Sequence, residues 1–135
     1  PYVRLYLERL KQIQTDFQAQ GFTLIGINAN DATRFPEDSF DNMKSFAASN
    51  HLNFPYLWDA TQDVAHSFGA ERTPEVFLID QQGVLRYTGC IDDSANDATA
   101  VQDPYLRTAI AQVLAGQVVI PASTSAIGCS VKWRA

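Results

Sequence analysis

Apolar positions recur at helical spacing from the first residues of the chain: Val3, Leu7, Leu10, Ile13 and Phe17 share one face, while Glu8, Arg9, Lys11 and Gln12 lie off it. The pattern predicts a helix over residues 2–20, closed by Gly21 at a C-cap position. Residues 22–28, Phe-Thr-Leu-Ile-Gly-Ile-Asn, are mostly apolar and too few for a second helix, so they read as an inner strand covered on both faces. The stretch from Asn28 to Pro36 is rich in Asn, Asp and Thr and reads as a loop. Asp38 or Ser39 can then cap a second helix that turns Phe40, Met43, Phe46 and Ala47 inward and ends at Asn50 and His51.

Residues 54–58 form a short strand candidate, and Pro55 places it at an edge or a strand start because proline cannot donate to a ladder. Thr61 to Phe68 reads as a short helix capped by Thr61, with Val64, Ala65 and Phe68 inward and Gly69 closing it. Residues 75–80 and 84–89 are β-rich runs joined by Gln81-Gln82-Gly83, the clearest hairpin in the chain. A polar loop follows from Asp92 to Asp103. Pro104 opens a last helix with Leu106, Ile110, Val113 and Leu114 on one face and Gly116 at its end, and residues 117–135 read as an irregular tail. The order is that of one α/β domain over residues 1–135, with no repeat and no dividing linker. A helix feeding an inner strand implies an earlier parallel strand across a right-handed crossover, so the domain is expected to be truncated at its N-terminal end.

The chain has 135 residues, 46% hydrophobic and 19% charged, with a net charge of −5. That length buries a core without help from metal or disulfide, and the composition excludes disorder. No run of Lys or Arg offers the concentrated positive charge that nucleic acid or an anionic membrane requires. No apolar stretch reaches the roughly 18 residues of a spanning helix, and the basic-then-apolar layout of a signal peptide is missing. With two cysteines, too few for a stapled secreted scaffold, the expected location is cytoplasmic.

Most candidate chemistry dissolves on inspection. His51 and His66 have no ligand partner at zinc spacing, so no metal site is expected. Asp92, Asp93 and Asp97 lack the oxygen spacing of a calcium hand and read as a solvated acidic loop. Ser123, Thr124 and Ser125 sit in no nucleophile elbow. Phe17, Phe22, Phe46, Phe54, Phe68 and Phe77 fit a core. Cys90 reads as a half-buried structural thiol or a resolving thiol, and Cys129 as a tail anchor or a functional thiol. A disulfide between them stays open, because it needs Cα atoms within about 7 Å.

Several segments, in order, carry a resemblance: Pro1-Tyr-Val-Arg, Gly26-Ile-Asn-Ala-Asn-Asp, Pro36-Glu-Asp-Ser, Phe54-Pro-Tyr-Leu-Trp-Asp, Thr73-Pro-Glu-Val-Phe-Leu-Ile-Asp, Ile91-Asp-Asp and Gly128-Cys-Ser-Val-Lys-Trp. Together they resemble the thioredoxin-like, peroxiredoxin-like proteins of the alkyl hydroperoxide reductase and thiol-specific antioxidant (redoxin) family over nearly the whole chain. The resemblance implies a thioredoxin-like α/β fold, a mixed central sheet flanked by helices, incomplete at its N-terminal end. It places a redox Cys-x-x-Cys, and the central strand that delivers it, immediately before Pro1. A thiolate there is favoured by the N–H groups and dipole of the first helix.

By this reading the catalytic cysteines lie outside the given chain, which alone is inactive. Pro1, Tyr2, Arg4, Arg72, Thr73 and Pro74 surround them, with Pro74 cis and facing the helix end near Tyr2. Arg4 and Arg72 either stabilise the thiolate or are ordinary exposed arginines, and Cys90 and Cys129 are candidate accessory thiols. The implied activity is that of a thiol-disulfide oxidoreductase or thiol peroxidase without cofactor. Its partners would be a protein disulfide or small peroxide, a thiol reductant, and a second copy or strand-swapped chain. The alternative is a non-catalytic thioredoxin-like binding or scaffold domain. Loss of the central strand would leave a gap between the strands at 22–28 and 75–80, and that gap is expected to be filled by residues outside the given chain, by another copy of the chain or by rearranged strands.

Overall fold

In the computed structural model, which describes residues 2–134, the elements run α1 (Tyr2–Phe17), β1 (Gly26–Asn28), α2 (Phe40–Ser49), β2 (Tyr56–Trp58), α3 (Asp63–Phe68), β3 (Arg72–Thr73), β4 (Val76–Ile79), β5 (Leu85–Gly89), α4 (Tyr105–Leu114) and β6 (Cys129–Ser130). They divide into two compact units, residues 1–9 with 71–130 and residues 10–70 with 131–135, and α1 contributes to both. The strands pair two by two: β1–β2 is parallel, while β4–β5 and β3–β6 are antiparallel. Among the described residues β1 has β2 as its one strand neighbour and β4 has β5. No other strand of the chain, among the described residues, pairs with β1 or β4.

In the unit of residues 10–70 and 131–135, β1 and β2 pair Gly26 with Tyr56, Ile27 with Leu57 and Asn28 with Trp58. Aromatic rings of α2 pack on one face of this pair: Phe46 lies 6.1 Å from Tyr56, and Phe40 stacks on Trp58 at 5.8 Å. A Cβ at Gly26 would press on the Phe54 and Tyr56 rings at 3.2 Å, which explains a glycine in mid-strand. Ile25 and Ile27 are 53% and 45% exposed, so this strand is not covered on both faces as its apolar composition predicted. It is also shorter than residues 22–28, because β2 offers three partners and the Leu24 amide turns to the Gln14 side chain at 2.7 Å.

Ser39 caps α2, its hydroxyl accepting from the Asn42 amide at 3.2 Å, while Asp38 ends the preceding single turn. At α3 the cap falls on Gln62, in the left-handed region at φ 67°, rather than on Thr61. The buried Asp59 carboxylate takes over by accepting from the Ala65 amide at 2.9 Å. Only Ala65 of the three residues expected inward is buried, with Val64 and Phe68 exposed. The end of the chain is clamped in this unit: Asn30 accepts from the Lys132 amide, Gln62 donates to the Lys132 carbonyl, and Trp133 stacks on His66 at 4.2 Å.

In the unit of residues 1–9 and 71–130, α4 packs on the β4–β5 hairpin. Tyr6, Tyr87 and Ile110 are each about 1% exposed, with Leu7, Leu78, Leu106 and Ala109 beside them among the buried residues. The core is thus built on tyrosines and aliphatics. Of the six phenylalanines expected to form a core, five are half-buried and Phe68 is exposed. At the hairpin turn the Asp80 carboxylate accepts from the Gln82 and Val84 amides at 2.9 and 3.0 Å, and Gly83 takes φ 81°. The expected solvated loop at Asp92 is corrected as well. Asp92 is buried, its charge met by the Arg9 guanidinium at 2.9 Å.

The tail read as irregular is paired with the sheet edges of this unit. Ser123 bridges Thr88 in parallel, the Thr88 amide donates to the Ala122 carbonyl at 3.1 Å, and the Thr124 amide donates to the Thr88 carbonyl at 3.0 Å. Six residues on, Cys129 and Ser130 form β6. No hydrophobic periodicity announces either pairing, since both rest on backbone groups.

Candidate functional site

Of the residues expected to matter, Arg72, Thr73, Pro74 and Cys129 gather around β3. The loop before it is held by one carboxylate: the amides of Glu71 and Arg72 both donate to Glu75 Oε1, at 2.9 and 3.0 Å. Thr73-Pro74 is a cis peptide bond, and β4 begins two residues beyond it. On the other side β6 runs antiparallel, pairing Thr73 with Cys129 and Arg72 with Ser130. Pro74 has no amide to donate, so the Thr73–Cys129 pair must exchange both ladder bonds. Gly128 comes so close that a Cβ there would overlap the Thr73 carbonyl, and Arg72 Nη1 donates to the Gly128 carbonyl at 3.3 Å.

Arg72, Thr73, Pro74 and Cys129 are thus brought together. Cys90 is held elsewhere in the unit, 5% exposed at the end of β5. Its amide donates to the Thr124 hydroxyl at 3.0 Å, its sulfur lies 3.3 Å from that oxygen, and its carbonyl accepts from Tyr87 Oη at 2.6 Å. Tyr87 Oη also meets Thr124 Oγ1 at 2.7 Å. Burial, with the neighbouring Cys90, pushes the Tyr87 hydroxyl above the ordinary tyrosine range. Cys90 and Cys129 are both free thiols.

Tyr2 and Arg4 stand in the first turn of α1, Tyr2 half-buried and Arg4 exposed; Pro1 lies outside the described residues. That turn carries no acidic residue, so nothing on it offsets the partial positive charge of the helix end. Further along the same helix, Arg9 Nη1 spans both oxygens of Asp92 at 2.9 and 3.0 Å and donates to the Ser94 carbonyl at 2.6 Å, while Nη2 donates to the Ala95 carbonyl at 2.9 Å. The guanidinium also lies over the Tyr6 ring, 4.6 Å from its centre. Burial, with Asp92 beside it, pushes the Tyr6 hydroxyl up to about 12.

Sequence reasoning missed Glu75, Gly128, Thr124 and the Arg9–Asp92 pair. Gly128 ahead of a β-compatible Cys-Ser-Val run was a usable signal, since glycine beside a strand often marks a close backbone approach. Nothing local marks Arg9 or Thr124, whose partners lie 83 and 34 residues away.

Helices against short parallel and antiparallel strands, with a Thr-Pro entering an antiparallel hairpin, define a thioredoxin-like α/β protein. Residues 1–88 match the model of the AhpC/TSA family, and the chain belongs to that family. Among solved structures it is similar to a hypothetical protein from Sinorhizobium meliloti 1021, with 38% identity over 100% of this chain and 74% of that one, at a TM-score of 0.92. It is also similar to an uncharacterized conserved protein from Geobacillus kaustophilus, with 36% identity over 98% of this chain and 70% of that one, at a TM-score of 0.91. No curated protein matches. Among the described residues no helix is long and apolar enough to cross a membrane.

Proposed function

We propose that the protein is a thiol-dependent oxidoreductase or peroxidase whose nucleophilic and resolving cysteines lie in a segment upstream of Pro1, and that residues 1–135 are the body of that single redoxin domain. One observation carries the reading. The family match covers residues 1–88, and both cysteines of the chain, Cys90 and Cys129, fall beyond it. The matched body therefore has no cysteine of its own, Cys90 is enclosed, and the chemistry of the family needs a thiolate from elsewhere in the protein.

In this mechanism the first thiolate attacks a peroxide oxygen, releasing water or an alcohol and forming a sulfenic acid. The second thiol displaces water from it to give a disulfide, which an external dithiol reduces. With a disulfide substrate the first thiolate attacks sulfur and the second resolves the mixed disulfide. The acid-free end of α1 at Tyr2 favours the thiolate, and Arg72 adds positive charge beside Thr73. The substrate is a small peroxide or a disulfide, the second partner a thiol reductant, and the expected compartment the reducing cytoplasm.

The test is an intact-mass spectrum of the natural protein before and after thiol alkylation, paired with peroxide-consumption and disulfide-reduction assays. A mass above that of this chain, at least two additional alkylated thiols and activity lost on alkylation are the expected results. No more than two thiols, with no turnover, would overturn the proposal and leave a non-catalytic binding domain.

A further inference from the structure

Within the unit of residues 10–70 and 131–135, the last turn of α3 and the tail segment 131–134 meet in a ring stack. His66 and Trp133 lie 4.2 Å apart, centre to centre, with 14° between their planes. His66 is exposed and Trp133 half-buried, so the imidazole exchanges protons with solvent while one of its faces stays on the indole. The geometry points to a pH-sensitive latch: protonated His66 holds residues 131–134 in place more firmly than neutral His66 does.

Three features support this. A neutral imidazole on an indole is a contact of two flat rings, whereas an imidazolium in the same place is a cation over the aromatic face that attracts cations best. His66 is also the basic residue of the last turn of α3, where unsatisfied carbonyls favour positive charge. The surrounding charges leave that preference standing. Asp63, three residues earlier on the same helix, adds a carboxylate that favours the proton. The two cations flanking Trp133 are drawn to other partners: Lys132 Nζ lies over the Phe35 ring at 6.0 Å, and Arg134 Nη2 donates to the Ala60 carbonyl. Arg34 sits over Phe35 as well, at 5.7 Å. The buried carboxylates of the adjoining loops, Asp31 and Asp59, accept from the Thr33 and Ala65 amides.

The element that the stack biases is the docked tail. Its Lys132 amide donates to Asn30 Oδ1 at 2.9 Å, its Lys132 carbonyl accepts from the Asp31 amide at 2.7 Å, and its Arg134 amide donates to Gln62 Oε1 at 3.0 Å. Each of these bonds is lost when the segment lifts, so the Lys132 and Arg134 amides report its state. A docked Trp133 favours the proton on His66, and by reciprocity the proton favours the docked tail. The hold is therefore strongest with His66 protonated and declines as pH rises through the imidazole range, about pH 5 to 8. None of this depends on the thiol chemistry proposed above.

The experiment is hydrogen exchange on the natural protein and its His66→Gln variant at about pH 5.5 and about pH 8, with each rate taken relative to an unstructured chain. In the natural protein the Lys132 and Arg134 amides are expected to be about threefold better protected at the acid value, against the β4–β5 amides as internal reference. In His66→Gln, which takes up no proton, that difference should vanish. Equal protection at both pH values in the natural protein, or a difference that survives in the variant, overturns the inference. A second measurement needs no variant: the His66 ring resonances and the Lys132 amide protection should follow one titration, and separate midpoints overturn the inference too. Failure here leaves turnover untouched, and failure of the redox reading leaves the exchange pattern untouched.

Discussion

Arg9 Nη1 reaches both carboxylate oxygens of Asp92 at 2.9 and 3.0 Å across 83 residues of sequence, and the same guanidinium gathers the Ser94 and Ala95 carbonyls. One side chain on α1 thereby fixes the whole turn that follows β5. The Asp92 side chain is 6% exposed and that of Arg9 17%, so each is the other's main compensation for lost water.

Removing one partner strands the other charge. Arg9→Met or Asp92→Ala alone should lower unfolding free energy by about 3 kcal/mol, and the double replacement by less than the two singles added. Urea denaturation of the four proteins checks this, and additive losses would mean that the pair does not act as a unit.

Thr124 offers a sharper test of the tail's anchorage. Its hydroxyl accepts from the Cys90 amide and meets Tyr87 Oη. Thr124→Val keeps the shape and leaves the buried amide without its acceptor, which should lower stability by about 1–3 kcal/mol, while Thr124→Ser should stay near the natural value. Alkylation of Cys90, slow in the natural protein, should speed up in the valine variant alone.

The alkaline limb of the stability curve should report Tyr6. Its hydroxyl titrates at about 12 in the folded protein, against an ordinary value near 10. A raised folded value means that the neutral hydroxyl is favoured by folding. Its contribution is complete below about pH 10 and is lost as pH rises toward about 12. In Tyr6→Phe the stability should fall less steeply over that window, measured by chemical denaturation at stepped pH.

Asp80 governs the acid side of the hairpin. Hydrogen bonding from the Val84 amide, then Arg86 and the Gln82 amide, holds its carboxyl below the usual carboxylate range. The depressed value means that its contribution is present above an ordinary carboxylate value of about 4 and is lost as pH falls through the lower folded value. Asp80→Asn should flatten the acid limb of the unfolding curve, and an unchanged slope would rule Asp80 out as its source.

Much of the element order was legible in the chain itself. Period-3.6 apolar spacing located α1 and α4, Gly21 marked the end of the first helical segment, and the Gln81-Gln82-Gly83 turn located the β4–β5 hairpin. These signals are local, because helix faces, caps and tight turns are settled within a few residues of the chain. Family motifs likewise survive as short ordered segments, which is why the AhpC/TSA relationship could be read from the sequence.

What the tertiary structure alone decided is where polar groups and backbone edges go. Asp92 changes from a solvated loop residue to a buried one because Arg9 reaches it. The strand at residue 22 shrinks to Gly26–Asn28 because β2 is short, and the tail becomes β6 because Gly128 lets it lie on Thr73. None of these follows from periodicity. A backbone amide or a charged side chain carries no record in the sequence of which distant partner will satisfy it, and only folding brings that partner within hydrogen-bond reach.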